Sequence, residues 1–258
     1  MKMFIDTYLS PYFPETENLF DDSIVVMIDV LRASTTICAA LYNGAKEVIP
    51  CDTLDKAVSV YNNMSKDVRF LGGERNGLKP SGFDAGNSPL EYTNDIIKDK
   101  SVIMSTSNGT KTFLKAKLAR RKVVAGFVNH STILDFLDSQ IDEYNSENRQ
   151  IRIFILCSGT NGRLSYEDII CAGSFVNALS NKYIFDKLSD SAEIAKKLYS
   201  INQSSLKQVL TDSEHAKRLI EIGFVEDVNI AFSYDTYPIL PKFVGSSIKN
   251  LQQTLSDL

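Results

Sequence analysis

Along this chain, near-continuous apolar runs rich in β-branched residues alternate with stretches whose apolar positions recur every three or four residues. The runs at 3–9, 23–30, 47–51, 69–73, 101–106, 122–127 and 151–158 predict strands. Several lack the in–out alternation of a half-solvated sheet, as expected of strands covered on both faces. Between them, 34–42, 53–64, 108–119 and 129–144 predict helices. Leu54, Ala57, Val58 and Tyr61 share one face of the second of these. Gly44 stands where the first should stop, and Ser88-Pro89-Leu90-Glu91 has the form of a capping box with proline at the first helical position. This alternation predicts an α/β fold: three layers, α/β/α, around a mostly parallel, mixed central sheet.

Beyond 181 the pattern changes. The segments 189–200 and 212–222 predict more polar helices, so 181–222 reads as a helical addition within one domain spanning 1–258. Two further strands are predicted at 225–232 and 237–244, the second carrying Pro238 and Pro241 and therefore expected at a sheet edge. A closing helix is expected over 246–258.

Hydrophobic residues make up 43% and charged residues 23%, a globular balance. No apolar run approaches the roughly 18 residues a membrane span needs, and Asp6 stands where a secretion signal would be apolar. The expected location is therefore cytoplasmic, with no membrane partner. A net charge of −4 gives no global field for nucleic acid, so any use of positive charge is local. The four cysteines have no paired spacing, and neither of the two histidines lies near one in sequence; reduced thiols without a zinc site are expected.

Ligands of parallel α/β sheets bind outside the carboxyl ends of the strands, and four such ends here are unusual. After the second strand comes Asp29-Val30-Leu31-Arg32-Ala33-Ser34-Thr35-Thr36. After the fourth comes Gly73-Glu74-Arg75-Asn76-Gly77, running on to Asp84 and Asn87-Ser88-Pro89. The fifth is followed by Ser105-Thr106-Ser107-Asn108-Gly109-Thr110, and the seventh by Cys157-Ser158-Gly159-Thr160-Asn161-Gly162-Arg163, then Ser165-Tyr166-Glu167-Asp168. Hydroxyl and glycine residues where a strand turns into a helix offer free N–H groups and a helix dipole to an anion. Arg32, Arg75 and Arg163 add forked donors for carboxylate, phosphate or sulfonate. The acids Asp29, Glu74, Asp84 and Asp168 on the same loops would repel such a ligand unless a divalent cation lay between, and oxygen ligands suit Mg²⁺.

Taken singly, each feature has a plainer reading. Ser34, Asn108 and Ser165 fit helix caps, the glycines fit turns, and a lone arginine is ordinarily a solvated surface group. The coincidence of four clusters on one predicted edge favours a site. Single phosphate motifs fail: Leu78 interrupts a P-loop-like spacing before Lys79, and Leu31 stands where a dehalogenase-type phosphatase has its second aspartate. Cys157 and Arg163 match the bare C-x₅-R spacing of cysteine phosphatases, but Leu156 precedes the cysteine and the glycine offsets differ, which fits a buried strand-end thiol. His130 and His215 read as cap or surface residues.

Together these segments resemble the 2-phosphosulfolactate phosphatase family. The resemblance rests on 28–36, on Gly73-Glu74-Arg75 with 82–89, on 105–110, and on Cys157-Ser158-Gly159 through Ser165-Tyr166-Glu167-Asp168 to Cys171-Ala172-Gly173. It extends to Asp227 and to Tyr234-Asp235, and so covers nearly the whole chain. Ser107 and Ser158, where the family pattern has Thr and Ala, are mild departures. The resemblance implies a Mg²⁺-dependent hydrolase that converts (2R)-2-phospho-3-sulfolactate to 3-sulfolactate and phosphate, a step towards coenzyme M in organisms that make it. On that reading Asp29, Arg32, Glu74 and Asp168 are the catalytic set. Asp29, Glu74 and Asp168 are expected to hold the metal, with Asp235 a further candidate. Arg32, Arg75 and Arg163 would bind anionic groups, while Ser34, Thr35, Thr36, Ser107, Asn108, Gly109, Thr110, Ser158 and Gly159 would cradle oxyanions. The expected partner is a small anionic phosphorylated substrate; homo-oligomerisation stays open. The alternatives are another enzyme of small phosphorylated acids or sugars, and a non-catalytic anion-binding module.

Overall fold

The computed structural model describes residues 2–12, 19–114 and 119–251. In chain order the elements are β1 (Met3–Tyr8), β2 (Ile24–Ile28), α1 (Ala33–Tyr42), β3 (Glu47–Pro50), α2 (Leu54–Asn62), β4 (Arg69–Gly73), α3 (Asn94–Ile97), β5 (Ser101–Ser105), α4 (Gly109–Phe113), β6 (Arg121–Ala125), α5 (His130–Ser146), β7 (Ile151–Cys157), α6 (Tyr166–Lys182), β8 (Lys187–Leu188), α7 (Asp190–Asn202), α8 (Leu206–Thr211), α9 (Glu214–Glu221), α10 (Val225–Ala231), β9 (Pro241–Val244) and β10 (Ser247–Asn250).

β2 shows why the strand runs are apolar throughout. Ile24, Val26 and Ile28 enter a core built with residues of α5, α6, α7, α9 and α10. Val25 and Met27 enter a second core on the other face, with Ile37, Cys38 and Leu41 of α1. All five β2 side chains are fully buried, and β7 repeats the pattern, with Ile153 and Ile155 on one side and Phe154 and Leu156 on the other. Helices therefore cover both faces of the sheet, the α/β layering expected. A third, smaller cluster packs Ala57 of α2 against Leu71 and Ile103.

The ten strands lie in the order β4-β5-β3-β10-β9-β6-β2-β7-β1-β8. Two parallel groups, β4-β5-β3 and β6-β2-β7-β1-β8, account for most of it. The antiparallel hairpin β9–β10 joins them, meeting β3 through the single pair Ile248–Val48 and β6 through the single pair Val123–Lys242. In a flat ladder these pairings would send the carboxyl ends of the two groups to opposite edges. In the folded protein the ends of β2 and β7 nevertheless meet those of β4 and β5 around one cleft.

The structure corrects four expectations, three of them in the C-terminal third. The segment expected as a strand at 225–232 is α10, because Asp227, Val228 and Ala231 bury one helical face. The strand with two prolines is not at an edge: β9 lies inside the sheet, with Pro241 as its first residue, where a missing N–H is tolerated. The start of the expected closing helix is β10, turned back by Gly245 at φ 62°; its remainder, 252–258, lies outside the described residues. Ser88 caps only a three-residue 3₁₀ turn, and the Glu91 carboxylate accepts from the Gly86 N–H instead of closing a capping box. The end of the helix expected over 108–119 falls partly on 115–118, also outside the described residues. No helix of the described residues is long and apolar enough to cross a membrane.

Candidate active site

Asp29 follows directly on β2. Its backbone N–H donates to Ser34 Oγ (2.9 Å), its Oδ1 accepts from the Ala33 N–H (3.2 Å), and its carbonyl accepts from the Ser34 N–H (2.8 Å). The chain is thereby wound into α1 with the carboxylate at the cleft wall. Gly109 makes the β5 loop compatible with this: a Cβ there would stand 2.5 Å from Asp29 Oδ2 and 2.6 Å from the Ala33 Cβ.

Glu74, after β4, is fixed as firmly. Oε1 accepts from the Ser107 N–H (2.6 Å) and Oε2 from the Gly77 N–H (2.7 Å). Two Asn-Gly turns of the same build face the cleft. Arg75 and Leu78 exchange backbone bonds around Asn76 and Gly77 (φ 55° and 85°), and Thr160 and Arg163 do so around Asn161 and Gly162 (φ 52° and 76°). Asn108 Oδ1 ties the loops together by accepting from the Asn161 N–H (3.1 Å).

The remaining wall comes from α9. Ser213 caps this helix at the Ala216 N–H. Ala216 and Leu219 face the core, which turns His215 and Arg218 towards the cleft. His215 Nδ1 lies 3.0 Å from Thr160 Oγ1 and 3.2 Å from Glu167 Oε1; Thr160 Oγ1 in turn meets Ser165 Oγ at 2.6 Å. The histidine expected on the surface is thus an inner wall residue. The inner cleft is narrow, about 30 Å³ of free volume. Through Thr160, Asn161, His215 and Arg218 it opens into a groove of about 490 Å³ that adds Arg163, Leu164 and Tyr166.

Of the expected site residues, Asp29, Arg32, Glu74, Ser107 and Asn108 line the inner cleft and Arg163 the outer groove. The others are placed elsewhere. Asp168 lies behind the wall: Oδ1 accepts from the Val30 N–H (2.8 Å) and Oδ2 from the Gly159 N–H (3.0 Å), stitching the ends of β2 and β7 together. Asp235 caps α5 through the Ser131 N–H (2.8 Å) and hydroxyl (2.6 Å), apart from the cleft residues. Arg75 braces the β4–β5 ends by donating to the Glu74 and Ser105 carbonyls and the Ser105 hydroxyl. The hydroxyls of Ser34, Thr35 and Thr36 are buried and serve backbone groups at Asp29, Val30 and Asn87. Thr110 likewise bonds back to Thr106. Ser158 Oγ is buried with no partner among the described residues.

Arg32 lines the cleft but is already committed. Nη1 meets Asp227 Oδ2 at 2.6 Å with both side chains 2% exposed, Nη2 donates to the Gly77 carbonyl (2.7 Å), and the guanidinium stacks on Phe224 at 4.1 Å. Asp227 also accepts from Ser88 Oγ (2.6 Å). Residue order alone does not disclose His215, Arg218, Asn76 or Asn161 as wall residues. The resemblance reaching Asp227 was the one signal for its pairing with Arg32.

The electrostatics are those of crowded acids. Burial pushes the Asp29 carboxyl up to about 6; the His215 charge and the Ala33 N–H oppose this, while Glu74 and Glu167 reinforce it. Burial, then Asp29 and Glu167, hold Asp168 well above the usual carboxylate range. Glu167 is 1% exposed and its Oε2 has no partner among the described residues. No three His, Cys, Asp or Glu side chains among the described residues converge as a metal cage. Two carboxylates on one cleft nevertheless fit Mg²⁺, which is commonly held by one or two carboxylates, waters and substrate phosphate. A cation there would offset both the burial of the Asp29 charge and the lesser repulsion from Glu74 and Glu167.

Comparison with known proteins gives this geometry a context. Residues 9–246 match the 2-phosphosulpholactate phosphatase family. A protein of Caldanaerobacter subterraneus subsp. tengcongensis is 33% identical over 97% of this chain and 99% of its own length. Proteins of Thermotoga petrophila and Clostridium tetani are each 35% identical, over 93% and 96% of this chain and 96% and 100% of theirs. All three are named probable 2-phosphosulfolactate phosphatases. With residues 9–246 matched by the family and these relatives at least 33% identical over 93% or more of the chain, the chain belongs to the 2-phosphosulfolactate phosphatase family.

Proposed function

We propose that this protein is a Mg²⁺-dependent phosphatase that hydrolyses (2R)-2-phospho-3-sulfolactate to 3-sulfolactate and phosphate. One observation carries the reading: a narrow cleft walled by Asp29 and Glu74 opens into a larger groove edged by Arg163 and Arg218. The narrow part suits a phosphate and an ion. The groove lies in the size range of small-molecule sites and offers arginines to the carboxylate and sulfonate.

Asp29 and Glu74 would hold the Mg²⁺, which when bound offsets the charge of the phosphoryl oxygens beside the two carboxylates. The chain's own groups supply position. The Gly77 and Ser107 N–H groups fix Glu74, and the Ala33 N–H fixes Asp29, so neither carboxylate needs to reorganise. Arg32, already neutralised by Asp227, is a brace that sets the Gly77 turn. On this reading the reaction would take place in the cytoplasm and, in hosts that make coenzyme M, would serve the route to it.

The test is phosphate release by purified protein from phosphosulfolactate, with Mg²⁺ and with EDTA. Release that depends on Mg²⁺ is expected. Turnover without free phosphate would make it a different enzyme of small phosphorylated acids, and thermal stabilisation by the compound without turnover would make it a binding module.

A further inference from the structure

We propose that His215 is the proton donor to the leaving oxygen in this hydrolysis, with Glu167 as its positioning residue; the inference rests on the phosphatase reading above. In a phosphate monoester the bridging oxygen lies between the phosphoryl group and the carbon skeleton. If the phosphate enters the inner cleft and the skeleton fills the groove, that oxygen sits at the junction between them. Four residues are common to the two walls: Thr160, Asn161, His215 and Arg218. Only the histidine ordinarily exchanges a proton near neutral pH.

The ring is set up for the task. Nδ1 is engaged by Glu167 Oε1 at 3.2 Å and Thr160 Oγ1 at 3.0 Å, and Nε2 has no protein partner among the described residues. Glu167 is buried at the first turn of α6, and its other oxygen has no partner among the described residues, so the carboxyl is held against the imidazole. A buried carboxylate behind a histidine fixes the tautomer and favours the imidazolium. The charged groups lining the cleft and groove around His215 are Glu167 from α6, Asp29 from the end of β2, Arg32 just before α1, Glu74 from the β4 loop, Arg163 from the turn before α6, and Glu214 and Arg218 from its own helix.

The step balances without a further reagent. Water attacks phosphorus, the bond from phosphorus to the bridging oxygen breaks, and the Nε2 proton passes to that oxygen, leaving the alcohol, dihydrogen phosphate and neutral imidazole. Dihydrogen phosphate then returns a proton to Nε2 and departs as hydrogen phosphate, restoring the imidazolium.

His215→Ala should lower kcat by about 100-fold or more with KM little changed, the range expected for general acid catalysis. Added imidazole should restore part of the rate, and the alkaline limb of the wild-type kcat–pH profile should vanish. Glu167→Gln should lower kcat by at least about tenfold, again without a matching rise in KM. A kcat within about threefold of wild type for His215→Ala overturns the assignment. So does a loss that imidazole does not restore and the pH profile does not register, because that is the behaviour of a structural residue. Wild-type activity separates the two readings: an inert wild-type protein overturns the functional reading and this one with it, whereas an active wild type with an equally active His215→Ala variant overturns this one alone.

Discussion

Replacing Asp29 by Asn separates two consequences of burying that carboxylate. The substitution keeps the shape and the oxygen that accepts from the Ala33 N–H, and removes the charge. In the folded protein the Asp29 carboxyl is raised from 3.8 to about 6, chiefly by burial. Below about pH 4 the group is protonated whether the chain is folded or not, and it contributes no difference. As pH rises through 4 to 6 the unfolded chain releases its proton first, so the fold loses stability over that window and carries the whole penalty above it. At about 1.4 kcal/mol per tenfold change in proton affinity, the penalty at pH 7.5 is about 3 kcal/mol. Asp29→Asn should therefore be the more stable protein at pH 7.5 by about 3 kcal/mol, roughly 10 °C in Tm for a chain of this size, and no more stable at pH 4. Hydrolysis should fall at least roughly 100-fold, as when a metal ligand is lost, and Mg²⁺ should raise the Tm of the wild type more than that of the variant. Urea unfolding of both proteins at the two pH values, with phosphate release measured alongside, tests each part. A variant no more stable at pH 7.5, or one that hydrolyses at near wild-type speed, would refute the placement of Asp29 as a strained active-site acid.

Asp227→Ala strands a guanidinium that is 2% exposed, so denaturant unfolding should show a loss of about 3–5 kcal/mol, far beyond that of a surface ion pair. Cys157→Ser should keep most activity while EDTA abolishes it: the thiol is fully buried, and burial together with Asp168 and Cys171 pushes it well above its ordinary range. A dead serine variant and an EDTA-indifferent wild type would instead install the cysteine as nucleophile. His130 is the mirror image of Asp29. Burial lowers it from 6.5 to about 4, so the stability it contributes is complete above about 6.5 and is lost as pH falls through 4. His130→Phe should abolish an acid-side loss of about 3 kcal/mol, read from urea midpoints at pH 7 and pH 4.

The strands of the two parallel groups were legible because burial on both faces leaves no polar position to interrupt Ile24–Ile28, and only Arg152, near the start, in Ile151–Cys157. The loops after them were legible because Asp29, Glu74 and Asn108 sit one to three residues past the strand ends. What sequence could not convey was partnership. Asp168 and Glu167 are neighbours in the chain, yet one ties two backbones and the other backs a histidine. Whether His215 faces solvent or the cleft depends on α9 burying Ala216 and Leu219 beneath it, which is settled by tertiary packing. The segment 225–232 is short enough for an apolar run to suit either period, and the Asp227–Arg32 pair across the fold goes with the helical choice.

The β9–β10 hairpin has a consequence for how the protein comes into being. Asp29 belongs to one parallel group and Glu74 to the other, and within the sheet only residues 241–250 connect the two. During synthesis both groups can complete their local pairings while the chain is still being made, but the seam cannot close until residue 250 has cleared the ribosome. Until then each half presents an open strand edge, β3 on one side and β6 on the other, which another nascent chain could occupy. Catalytic competence should therefore appear only once residues 241–250 have been made and have docked between β3 and β6.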